Sequence, residues 1–148
     1  MKTVRPERTG WRDEAMSARH RVWGYDCPAN DIDFLMIEYD HAEPKAIIEY
    51  KNERAREQKS GTSTYRAIRK LADKAGLPFF AVRYASDFSW FRPTALNDIA
   101  LKKLEQRTAT MTEYEFVCFL YDKLRGRKAP AEQSVNEWIT RYSLCPAP

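Results

Sequence analysis

Two apolar runs, Ile32–Tyr39 and Lys45–Lys51, stand five residues apart across Asp40-His41-Ala42-Glu43-Pro44. Both are rich in strand formers and too short for a typical helix, and the segment between them is turn sequence. A chain built this way folds around a β-hairpin. Alternation along the second strand puts Ile47, Glu49 and Lys51 on one face. An acid and a base therefore end a core-facing row, where desolvation is costly unless something binds there. The first strand opens with Asp31-Ile32-Asp33, which sets acids on one face with Leu35 and Ile37 behind them. If the strands pair, Asp33 and Glu49 approach each other.

The remaining elements follow from local signals. Trp11, Ala15, Ala18 and Val22 share one face of a helix expected over 7–22, with Glu14 at the edge of that stripe and His20 pointing away. A second helix is expected over 62–75, with Tyr65, Ile68, Leu71, Ala72 and Ala75 inward, Gly76 ending it and Pro78 preventing its return. Phe79–Tyr84 reads as a central strand and Trp90–Arg92 as an edge strand, because Pro93 cannot donate a ladder bond. A short helix is expected over 97–106. Thr112 and Glu115 form a capping box for a helix running to Leu124 and stopping at Gly126. Val135, Trp138, Ile139 and Tyr142 line a last short helix. The order α-β-β-α-β-β, then helices, predicts an α/β fold with a mixed central sheet flanked by helices and extra C-terminal helices. Residues 1–126 read as the main domain, with its core at about 7–92 and a helical extension over 97–125. Residues 127–148 read as a linker and a short helix packed on the same domain.

Composition excludes several classes. The 148 residues are 43% hydrophobic and 13% aromatic, too rich in aromatics for a disordered chain and enough for one core. No apolar run approaches the ~18 residues of a membrane span. The segment Met1–Arg8 has no apolar stretch behind it, so no secretory signal is expected. Cys27, Cys118 and Cys145 are odd in number and lack a C-x-x-C pair, which suggests reduced thiols in a cytoplasmic protein. The net charge of +4 conceals a segregation. Asp31–Glu49 holds six acids against one base, and Lys51–Lys74 holds eight bases against three acids. Such adjacent strips suit a metal site beside a phosphate track, although on charge alone a mixed, solvated surface is the plainer explanation.

The acid-x-lysine triplet carries meaning only by its place. The chain has three: Glu43-Pro44-Lys45 in the turn, Glu57-Gln58-Lys59 in a polar stretch, and Glu49-Tyr50-Lys51 at the end of an apolar strand. Two close carboxylates repel, and a divalent cation relieves them. A neighbouring lysine can orient a water and neutralise charge building on phosphorus.

Asp33 followed sixteen residues later by Glu49-x-Lys51, after a helix carrying Glu14, resembles the PD-(D/E)xK nuclease superfamily. The size is similar to that of its small members, such as archaeal Holliday-junction resolvases and stand-alone VRR-type nucleases. The resemblance implies a restriction-endonuclease-like α-β-β-β-α-β core over roughly residues 7–92. It also implies a Mg²⁺-dependent endonuclease acting on DNA, with structure-selective cutting and RNA both compatible. Mn²⁺ can substitute for Mg²⁺ in this class. Asp33 and Glu49 would bind the metal with the Tyr50 backbone carbonyl, Lys51 would assist the attacking water, and Glu14 is a candidate further ligand. No proline directly precedes Asp33, so Asp31 and Asp33 both stand as candidates for the aspartate ligand.

Arg54, Arg56, Lys59, Arg66, Arg69 and Lys70 are the expected phosphate contacts. A homodimer spanning a duplex is compatible with so small a chain. Each feature also has a plainer explanation: a strand-end salt bridge for Glu49 and Lys51, a strand cap for Asp31, a helix-surface acid for Glu14. A non-catalytic nucleic-acid-binding or protein-interaction module on the same fold is the alternative function.

Overall fold

A computed structural model describes residues 14–23, 32–38, 40–56, 61–104 and 110–141. The chain divides into two compact units, Met1–Asp31 and Ile32–Pro148. The first contains helix α1, Glu14–Trp23, which leaves Met16, Val22 and Trp23 exposed and sets His20 edge-on to the Trp23 ring. The second contains β1 (Phe34–Glu38), β2 (Glu43–Asn52), α2 (Ser63–Ala75), β3 (Phe79–Tyr84), β4 (Phe91–Ala95), α3 (Asp98–Lys103), α4 (Glu113–Phe119) and α5 (Glu132–Arg141). No helix of the described residues is long and apolar enough to cross a membrane.

The four strands form one sheet in the order β1-β2-β3-β4. The β1–β2 and β3–β4 pairs are antiparallel, while β2 and β3, joined through α2, run parallel. This is the expected mixed α/β sheet with helices on both faces. Two strands lie between α1 and α2 among the described residues, where the resemblance implies three.

Alternation divides the core into two layers. Ile47 and Phe79 pack with Tyr65, Ile68, Ala72 and Leu77 beneath α2. Ala46, Ile48, Phe80 and Val82 face the other way, against Phe91, Ala100, Phe116, Phe119 and Leu124. A sheet covered on both faces explains why Phe79-Phe80-Ala81-Val82 is a nearly continuous apolar run. Helix α2 begins at the Thr62 cap and ends at Gly76, whose φ of 71° is the left-handed conformation that glycine adopts freely.

Several expectations are corrected. Leu71 and Ala75 are not inward: Leu71 is 49% exposed, because at 100° per residue it falls well off the stripe made by Tyr65, Ile68 and Ala72. The fourth strand runs to Ala95 and passes through Pro93. Phe91 exchanges both backbone bonds with Met111 on the outer side, so Pro93, two residues on, has its missing N–H turned away from β3. The short helix stops at Lys103. The capping box at Thr112 and Glu115 forms as expected, but the helix it starts changes to a π-helical turn over Leu120–Arg125 before ending at Gly126.

That π turn brings Arg125 to Glu38 at the end of β1, at 3.0 Å, while Arg127 bridges Glu38 and Asp40, each at 2.8 Å. The Arg125 hydrogen bond, aided by the Arg127 charge, holds the Glu38 carboxyl below its usual range. A carboxyl with a lowered folded-state pKa contributes stability above its ordinary pKa and loses it as pH falls. Glu38→Gln should therefore melt at a lower temperature than wild type at pH 7. The difference should close in acid once Glu38 is protonated, and melting curves from pH 7 down to pH 3 check this.

Candidate functional site

The hairpin register sets the candidate site. Phe34 pairs with Ile48, so the next position out along each strand sets Asp33 against Glu49. Asp33 stands just before β1, which begins at Phe34 rather than Ile32. Its carboxylate Oδ2 accepts a hydrogen bond from the Tyr50 N–H at 3.2 Å, and its own N–H donates to Glu49 Oε1 at 3.4 Å. These local bonds end the ladder and tie the two acids into one unit.

The environments of the two acids differ. Asp33 is exposed, whereas Glu49 is only 6% exposed on the α2 face of β2. Burial, and then the hydrogen bond and negative charge of Asp33, push the Glu49 carboxyl up to about 7; the Asp33 N–H and the Lys51 charge oppose this. Lys51 is half-buried two residues further along the same face.

The donors near this pair are all oxygens. The Tyr50 N–H points toward Asp33, and in a strand the carbonyl of a residue lies on the same side as its N–H. With β1 starting opposite Ile48, the Tyr50 carbonyl lies past the end of the β1–β2 ladder. Two carboxylates and a carbonyl suit a hard divalent cation such as Mg²⁺, whose charge would offset the repulsion that raises the Glu49 pKa. Among the described residues no group of three or more His, Cys, Asp or Glu side chains is placed to hold a metal ion. Two carboxylates and one carbonyl would leave the rest of a Mg²⁺ shell to waters and substrate oxygens.

The other candidates are distributed as follows. Asp31 and Lys59 lie outside the described residues. Glu14 opens α1 in the first unit, and its side chain also lies outside the described set. Arg54, Arg56, Arg66 and Lys70 are exposed and Arg69 is half-buried. None of these five forms a salt bridge among the described residues. Cys118 is a free, half-buried thiol; Cys27 and Cys145 lie outside the described residues.

Tyr65 is a site neighbour that sequence reasoning assigned to the core alone. It is buried against Phe79 with ring centroids 5.9 Å apart. Burial raises its phenol pKa first, and the negative charges of Glu49 and Asp33 raise it further, so it belongs to the wall around the two acids. Its apolar spacing in α2 hid this, since helical periodicity reports a face and not what that face meets. Comparison with family models, curated proteins and solved structures finds no match, so the functional reading rests on residues and geometry.

Proposed function

We propose that this chain is a divalent-metal-dependent nuclease that hydrolyses phosphodiester bonds in DNA on a restriction-endonuclease-like core. The observation that carries the reading is the buried Glu49 set against Asp33, with Lys51 on the same strand face. A buried Glu49 whose carboxyl is pushed up to about 7, held against a second acid, is a costly arrangement for a fold and a useful one for binding a cation. Bound Mg²⁺ would supply Lewis-acid charge at the phosphate. Asp33 and Glu49 would hold it with the Tyr50 carbonyl. Lys51 orients the attacking water by hydrogen bonding and offsets the negative charge that grows on the phosphate oxygens. In-line attack opposite the 3′-oxygen leaves a 5′-phosphate, as the resemblance implies.

The test is incubation with plasmid, single strands, flaps and four-way junctions in Mg²⁺, Mn²⁺ or EDTA. Metal-dependent cutting of any of these, abolished by EDTA, is the expected result. Salt-sensitive binding with no cleavage in either metal would overturn the enzyme reading and leave a non-catalytic nucleic-acid-binding module.

A further inference from the structure

A row of three cations crosses the sheet beside the acid pair. Lys51 on β2 pairs with Arg83 on β3, and Arg83 pairs with Arg92 on β4. Alternation puts all three on the α2 face, because Tyr50, Val82 and Phe91 face the opposite core. Adjacent strands lie ~4.8 Å apart, so the row is about 10 Å long at the backbone. Like charges on directly opposed residues destabilise a sheet. Among the described residues none of the three forms a salt bridge with a carboxylate.

Both arginines are held without being neutralised. Arg83 Nη2 donates to the backbone carbonyls of Glu53 and Ala55, in the turn that follows Lys51. The Arg92 guanidinium lies 5.2 Å from the centre of the Trp90 ring and contacts Thr110 Oγ1 at 3.4 Å. A guanidinium has five N–H donors, so each keeps donors for a ligand. Three cations in line, two of them held in place and the last with an aromatic ring beneath it, match a polyanion with regularly spaced charges and planar groups.

We infer that Lys51, Arg83 and Arg92 form a phosphate-binding row, which carries the sugar–phosphate backbone of a nucleic acid from the acid pair across β3 onto β4. The position of the reacting phosphate at Lys51 rests on the nuclease reading; the affinity of the row for nucleic acid does not.

The experiment is fluorescence anisotropy of labelled duplex and single-stranded DNA in EDTA, across a salt series, with melting temperatures as the check on folding. Arg92→Ala should bind several-fold more weakly and lower the log–log salt slope by about 0.9 for duplex or about 0.7 for single strands. Arg92→Lys should keep most of the slope. Lys102→Ala, on α3 beneath the other core, should match wild type. A folded Arg92→Ala protein with wild-type affinity and slope would overturn the row. Equal, Arg92-dependent binding of heparin in competition would overturn its assignment to nucleic acid. Because no metal is present, these outcomes do not depend on cleavage, and a protein that cuts nothing can still pass them.

Discussion

If the chain is the proposed nuclease, Lys51→Ala should lower Mg²⁺-dependent cleavage by about 10²–10⁴-fold while the protein stays folded. The fold should survive because Lys51 is half-buried near the end of β2 and forms no salt bridge among the described residues. The chemistry should not survive, because a lysine that orients water and offsets charge on phosphate acts mainly in the transition state. The loss should therefore appear mainly in the single-turnover rate constant, beside the several-fold drop in DNA affinity expected for losing one cation of the row. Lys51→Arg keeps the charge but replaces a compact ammonium by a broad planar fork, so it should recover binding without recovering the rate. Single-turnover cleavage at saturating enzyme, beside anisotropy titrations, separates these effects. A folded Lys51→Ala protein cutting at the wild-type rate would remove Lys51 from the mechanism.

The part of this site on β2 was legible because a strand's side-chain period is an integer. Once Lys45–Lys51 is a strand, Glu49 and Lys51 must share the face of Ile47. Hairpin pairing then brings Asp33 to Glu49. What alternation could not supply was the point where the ladder ends. The Asp33 carboxylate takes the Tyr50 N–H, and β1 starts only at Phe34. Contacts between distant segments were equally hidden. Nothing near Glu38 announces that Arg125 and Arg127 will meet it, and the π turn that brings Arg125 there has the same apolar spacing as an α-helix. Likewise nothing local in the sequence singles out Arg83 or Arg92; the parallel pairing of β2 with β3 and the antiparallel pairing of β3 with β4 set them in line with Lys51.

In the absence of metal the protein should lose stability as pH rises from about 4.5 to about 7, and Glu49 should account for the loss. The direction follows from proton linkage. Glu49 titrates near 4.5 when unfolded and near 7 when folded, so between these values the folded state holds the extra proton. Raising the pH through that window removes a proton that only the folded state was keeping. At about 1.4 kcal/mol per pH unit the loss totals ~3 kcal/mol, an order-of-magnitude figure for a buried acid facing another acid. Glu49→Gln, which removes the charge and keeps the shape, should flatten urea midpoints across this range and be more stable than wild type at pH 8. A cation at the acid pair reverses the sign, since it favours the ionised carboxylate. Millimolar Mg²⁺ should therefore restore wild-type stability above pH 7 and leave Glu49→Gln almost unmoved. Equal Mg²⁺ stabilisation of both proteins would show that the cation binds elsewhere. On the proposed reading, the arrangement that weakens the empty fold at neutral pH is the one that would give a cation its affinity there.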